Sequence, residues 1–407
     1  YLGDDESCKV FDAKTGNVRE QIMAPSGITD GPVWKWMALR DGVLYALIGN
    51  KEVRIETQES DRPGLGHWRW GVWKGYDYAD PKSAFGFGRT LVAVDLKTKK
   101  VKWHFKAEDY LDARALVMNR DSIFGYSPDR SLTRIDVATG KVVWQTMDKE
   151  LLRAIGYNRL AQFYTTGSAT SCYLKCNDAY LFFAGPQRAR LVAVDAAAGK
   201  VVWTHTPGNL QLVLRPDAVY AAGPQESVGG RLDYATGRVL EELPGRRACA
   251  RATGCADSVF YRANGGTLRL IRGDGRTTVQ HIDPIRPPCQ DGVIVANGHL
   301  YFGPWMCGCQ LSLYGNIALG PVGEPARPEP AGTWRVRPGS AHEVISRGPV
   351  KPLKVVPGDW PEYRGDSARR DVSRCQIGDS LTRAWETKVT AAVLPTAPVI
   401  AGGMVFV

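Results

Sequence analysis

The sequence predicts an all-β protein, a β-propeller of four-stranded antiparallel blades. Two observations lead there. A short segment recurs: "LVAVDLKTKKVKW" ends at Trp103, "LTRIDVATGKVVW" at Trp144 and "LVAVDAAAGKVVW" at Trp203, with weaker copies "CKVFDAKTGNVRE" near Asp12 and "GRLDYATGRVLEE" near Asp233. Ahead of these lie further apolar pairs joined by Asp, Asn or Gly turns, such as "ALVMNRDSIFGYS", "SCYLKCNDAYLFFAG" and "LQLVLRPDAVYAAG". Two hairpins together make a four-stranded unit of about 40 residues, the size of a propeller blade.

Each copy reads as strand, tight turn, strand. Asp opens the turn and Gly closes it in a geometry that needs positive φ. The Val-x-Trp that follows alternates outward and inward. Composition agrees, since 44 Gly and 25 Pro suit many turns, and 12 Trp and 16 Tyr suit strands. In chain order, blades are predicted at 33–105, 112–146, 170–205, 209–243 and 251–281. Another begins at 289 and lacks its outer strand after "LSLYGNIALGP". Blades thus fill residues 1–320. Residues 321–358 ("GPVGEPARPEPAG") read as a Pro/Gly-rich linker or surface excursion.

Residues 359–407 hold "DWPEYRGDSARRDVS", the strand "LTRAWETKV" and the hairpin "TAPVIAGGMVFV". That hairpin supplies inner strands without an outer pair. The N-terminal "SCKVFDAKTGNVRE" supplies an outer pair without inner strands. Joined, they close one ring of seven blades, or eight if a degenerate copy escapes the pattern. The alternative is that 359–407 starts a second propeller. The opening "YLGDDESCKVFDAKTG" reads as mid-domain strand, so the true start is expected upstream.

The formal net charge is +10, but the basic residues are scattered without a Lys/Arg block. That pattern is a solvated basic surface rather than a nucleic-acid interface. No apolar run is long enough to span a membrane. Nine cysteines suit an oxidising compartment, periplasmic or extracellular, and the odd number leaves at least one unpaired.

With strands alternating in direction from the axis to the rim, the links between blades and the loops between second and third strands share one face. Cys249, Cys289, Cys307 and Cys309 all fall there. Cys307-x-Cys309 is too close along a strand for an internal disulfide. Three readings stand: disulfides bracing long loops, a thiolate metal or haem site, or free buried thiols. No Cys-x-x-Cys-His is present for covalent haem. The six histidines show no metal-ligand spacing, and no P-loop, dinucleotide fingerprint or nucleophile motif occurs.

Inner strands begin at the axis on that same face. Lys35, Arg114, Ser171, Gln211, Arg251 and Gln290 would therefore ring the channel mouth, a cationic rim suited to an anionic ligand. The insertion at 50–89 carries "GHWRWGVWKGYDY", where Trp68, Trp70 and Trp73 stand beside Arg69 and Lys74. These rings suit stacking on a glycan or a planar ligand, or a lid that buries its own aromatics. "DKELLRAIG" at 148–156 reads as a short helix packing on this face.

The Asp-x-x-x-Gly-x-x-x-Trp turns and "DWPEYRGDSARR" resemble the PQQ-like (quinoprotein-like) β-propeller repeat family over most of the chain. The stretches "AFGFGRTLVAVD", "CARATGCADSVFYR" and "RPPCQDGVIVANGHLYFGPWMCGCQLSLYG" resemble an uncharacterised secreted bacterial subgroup. In the wider group, quinoprotein alcohol dehydrogenases place a vicinal Cys-Cys disulfide against PQQ, with a catalytic Asp and calcium. This sequence has no adjacent cysteines. Non-catalytic relatives include the propeller lipoprotein of the outer-membrane β-barrel assembly machinery. The resemblance implies a binding or scaffold module for a protein partner or a small anionic or glycan ligand. The alternatives are an oxidoreductase holding a quinone or metal at the channel mouth, and a polysaccharide-active enzyme.

Overall fold

The computed structural model describes all residues except 4–5, 52–85, 157–172, 186–187, 225–228, 248–250, 274, 284, 288–291, 304–315, 321–353, 357–358, 362–381, 384–385, 387–398 and 407. It divides into two units, Tyr1–Val322 and Gly323–Val407. The first unit holds seven antiparallel sheets, the blades of a propeller. Blade 1 is Leu2–Gly3, Ser7–Phe11 and Val18–Met23. Blade 2 is Val33–Arg40, Val43–Gly49, Phe87–Asp95 and Val101–Asp112. Blade 3 is Leu116–Met118, Ser122–Ser127, Ser131–Asp136 and Val142–Thr146. Blade 4 is Tyr173–Cys176, Tyr180–Ala184, Leu191–Asp195 and Val201–His205. Blade 5 is Gln211–Arg215, Ala218–Ala222, Gly229–Leu232 and Val239–Leu243. Blade 6 is Thr253–Gly254, Ser258–Arg262, Thr267–Arg272 and Thr277–Ile282. Blade 7 is Ile294–Ala296, His299–Phe302 and Ile317–Leu319.

Strands run in chain order from axis to rim. The inner strands of blades 3 and 4, 4 and 5, 5 and 6, and 6 and 7 lie beside one another. Second strands lie between two neighbouring blades. They lose the in-out alternation of a one-sided sheet and are buried along their whole length, as in Val43–Gly49, Ser122–Ser127 and Ala218–Ala222. Outer strands keep the alternation from their second residue on, with Val202 and Thr204 exposed on either side of buried Trp203.

The structure adjusts the predicted boundaries in two places. Blade 1 carries a short third strand, with Gly3 paired to Cys8, in addition to the expected outer pair. The outer strand of blade 2 runs on to Asp112, and a 3-10 turn at Ala113–Ala115 precedes blade 3. In blade 7 the third described strand is Ile317–Leu319, with Phe302 opposite Ile317; the "QLSLYG" stretch that the sequence favours lies outside the described residues. The predicted short helix is present at Lys149–Ile155, capped by Asp148, and it buries Leu151 and Ile155 between blades 3 and 4. In the second unit, the hairpin Val399–Ala401 with Met404–Phe406 is held by Asp359 and Trp360. Trp360 and Ile400 exchange backbone hydrogen bonds of 3.0 and 2.8 Å, and Asp359 accepts one from Gly402 N–H at 3.1 Å.

The recurring Asp-to-Trp segment works between blades. The residue eight positions after the turn Asp docks on the corresponding turn of the next blade. Trp103 of blade 2 stacks on Gly140 and donates its indole N–H to Val137 O at 2.9 Å. Trp203 of blade 4 does the same to Gly237 and Tyr234 O at 3.0 Å. Trp144 covers Gly199 in the same way. The glycines have φ near +70° (Gly140 72°, Gly199 68°, Gly237 69°). A Cβ on Gly140 or Gly237 would lie 2.5 Å from the indole Cε3, so the residue must be Gly for space as well as for φ.

Two blades carry the weaker copies and replace this stacking with charge. In blade 1 the Trp position holds Glu20, in blade 2 the Gly position holds Lys99 (φ 61°), and the two pair at 2.6 Å. In blade 5 the Trp position holds Glu241. Its carboxylate accepts from Thr277 N–H and hydroxyl, each at 2.9 Å, and from Arg231 at 3.2 Å.

The turn aspartates are Asx caps. Asp136 Oδ1 accepts from Thr139 N–H at 2.8 Å and hydroxyl at 2.6 Å, and Asp233 makes the same pair with Thr236 at 2.9 and 2.7 Å. Hydrogen bonds from the threonine three residues on hold four of these carboxyls below the usual range. The backbone N–H leads at Asp12 (Thr15) and Asp95 (Thr98), and the hydroxyl leads at Asp136 and Asp233. A depressed carboxyl pKa contributes stability that is complete above the unfolded value of about 4 and is lost as pH falls through the folded one. The melting temperature should therefore fall with acid below about pH 4 through these groups. Asn at all four positions should make that acid limb shallower in a thermal-melt series. An unchanged limb would remove the turns from the account.

Candidate functional site

The inner strands of blades 2 to 6, with the residues leading into them, enclose a cavity of about 280 Å³ on the axis. Its wall includes Trp36, Arg114, Tyr173, Lys175, Gln211 and Arg251. A second cavity of about 470 Å³ shares Lys175, Leu212, Arg251 and Ala252 and continues past Cys176 and Thr253. Strand alternation selects the wall of blade 4. In Tyr173–Cys176, Leu174 is buried in the blade while Tyr173 and Lys175 face the channel.

The predicted rim is realised in part. Arg114, Gln211 and Arg251 meet on this cavity although they come from three blades. Arg114 is not a free cation. Its Nε donates to Asp112 Oδ1 at 2.9 Å and its Nη2 to Oδ2 at 3.4 Å, and Asp112 is buried. The guanidinium also lies 5.6 Å from the Phe87 ring centre. The 3-10 turn at Ala113–Ala115, which the sequence pattern did not signal, lets Arg114 fold back on its neighbour. Lys35 is the extra residue of a bulge: Trp34 pairs with Ile48 and Trp36 with Leu47. Its stem lies against Gly49, and Trp36 takes the place on the cavity wall.

Arg251 reaches past blade 5 and stacks on Tyr173, 4.9 Å from the ring centre. Lys175 touches channel solvent yet is surrounded by protein. That burial, then the charge of Arg251, holds its ammonium pKa below the usual lysine value. Burial likewise pushes the Cys176 thiol up to about 11, so it stays protonated at neutral pH. Gln211 is 5% exposed, and its Nε2 has no hydrogen-bond partner.

Arginines brace the loops of the inner-strand face. Arg188 donates to Gly156 O at 2.8 Å, tying the loop after Ala184 to the end of the short helix. Arg246 donates to Ala222 O at 3.2 Å and to Asn209 O and Oδ1 at 3.2 and 3.1 Å. Cys176 and Cys255 are free thiols, and Cys255 contacts Asp257 at 3.1 Å. Cys249, Cys289, Cys307 and Cys309 lie outside the described residues, as do Ser171, Gln290, Trp68, Trp70 and Trp73. Among the described residues no cluster of His, Cys, Asp or Glu is placed to hold a metal. Among the described residues no helix is long and apolar enough to cross a membrane.

Fold and cavity define a seven-bladed propeller with polar groups converging on its axis. The family described as outer membrane protein assembly factor BamB matches residues 67–280. The chain belongs to this BamB-like family of PQQ-repeat propellers. Among solved structures it is similar to BamB from Moraxella catarrhalis, at 15% identity over 74% of this chain and 85% of that one, with a TM-score of 0.37. It is also similar to the computationally designed Ika8 protein, at 12% identity over 73% of this chain and 87% of that one, with a TM-score of 0.39. No curated protein matches the chain.

Proposed function

We propose that this propeller is a non-catalytic binding module that acts as a scaffold for a protein partner in the periplasm or outside the cell. The family match over residues 67–280, to an outer membrane protein assembly factor, carries the reading. The construction of the ring supports it. Blades 1 to 5 each lock the next through a Trp-on-Gly or charged clamp, and arginines pin the loops of the inner-strand face to backbone carbonyls. A surface held in this way loses little conformational entropy on binding, which favours a preformed docking face. Nine cysteines suit the oxidising compartment.

Cell fractionation with in-cell cross-linking tests the reading. The protein should fractionate with the envelope and cross-link to a component of outer-membrane protein assembly. Recovery from the cytosol alone, or an envelope fraction without such a cross-link, would overturn it.

A further inference from the structure

The axial cavity contains two cations without a counter-charge. Lys175 and Arg251 both line it, and among the described residues no carboxylate does. Neither has a salt-bridge partner there, whereas Arg114 is satisfied by Asp112. Burial and then the charge of Arg251 lower the Lys175 ammonium pKa, a disfavouring of its charged form that an incoming anion relieves. Arg251 uses one face of its guanidinium on Tyr173, which leaves the N–H edges for a carboxylate fork.

A second observation is independent of the charges. Gln211 is almost fully buried on the same wall, and its Nε2 donor is unmet. Buried donors of this kind are rare and call for an acceptor. The remaining wall mixes the Asp112-paired Arg114 with apolar side chains, Trp36 and Leu212 among them. The volume of about 280 Å³ sits at the lower limit for small-molecule sites, which selects a compact ligand.

We propose that the axial cavity of blades 2 to 6 binds a small dicarboxylate with an apolar body, its acid groups on Lys175 and Arg251 and an oxygen on the Gln211 amide. Two uncompensated cations ask for two negative charges, and the apolar side chains ask for carbon between them. The inference does not rest on the partner reading.

The test is calorimetry on the full chain at low ionic strength. The probes are phthalate, its neutral counterpart phthalamide, and inorganic phosphate. Phthalate should bind at one site, with phthalamide and phosphate at least tenfold weaker. Lys175→Met and Arg251→Met should each weaken phthalate at least tenfold with the circular dichroism spectrum retained. Lys175→Arg, which keeps the charge, should stay within a few-fold of the unmodified protein. Gln211→Leu should weaken phthalate about threefold. Absence of saturable binding, equal affinity in the charge-removed variants, or phosphate binding as tightly as phthalate would each overturn the proposal.

Discussion

Trp203→Ala is expected to lower the unfolding free energy by about 3–5 kcal/mol, the range for removing a large buried aromatic. The ring is 9% exposed and packs 5.9 Å from Phe182 while covering the turn of blade 5. Its loss opens a cavity between two blades and strips Tyr234 O of its donor. Gly237→Ala attacks the same contact from the other side. A left-handed φ costs an L-residue about 1–2 kcal/mol, and overpacking against the indole adds about 1–3 kcal/mol. Gly16→Ala is the control, because Gly16 has φ 72° and no heavy atom within 4 Å of a new Cβ. It should lose only the φ part. In the Trp203→Ala background the indole is gone, so Gly237→Ala should cost no more than Gly16→Ala does. Urea unfolding of the four proteins measures the coupling, expected at about 1–3 kcal/mol. Additive losses would mean that ring and glycine do not share the contact.

This clamp explains how much of the fold was legible. A strict eight-residue spacing from Asp to Trp survives in sequence because two physical demands fix it, positive φ at Gly and no room above it. Where the demand changes, the letters change together. Lys99 can take φ 61° because the opposing residue is Glu20, which offers charge instead of a ring. Blade order followed directly from that spacing. The strand boundary that moved did so at an irregular place, the 3-10 turn before blade 3.

The site was legible by direction but not by depth. Ser171 was expected to mark the axis in blade 4, and the alternation that points it there continues to Tyr173 and Lys175. Following the period of two further inward would have named Lys175. Arg114 was placed correctly, but its charge was misjudged. The acid that neutralises it is Asp112, two residues earlier, and only the folded turn brings the pair together. Lys35 sits at a bulge that shifts one strand by a residue, and no periodic reading carries that signal.

Arg246 is the point where fold and site meet, and Arg246→Met is expected to cost about 2–4 kcal/mol. The side chain is 1% exposed and serves Ala222 O together with Asn209 O and Oδ1. A buried charge replaced by a hydrophobe of similar size can be neutral when both members of a pair are removed. Here the partners include main-chain carbonyls, which remain. Each buried acceptor left without a donor costs about 1–3 kcal/mol, and this outweighs the desolvation recovered from the guanidinium. Lysine offers a compact charge without the fork, so Arg246→Lys should fall between the two. The loss should be local in its first effect. Asn209 leads into Leu210 and Gln211 on the cavity wall, so hydrogen exchange of the 209–212 amides should accelerate before global unfolding does. Urea midpoints give the stability change, and exchange read by mass spectrometry gives its location. A stability within about 0.5 kcal/mol of the unmodified protein, the spread of ordinary surface changes, would show that the guanidinium is not what holds these carbonyls.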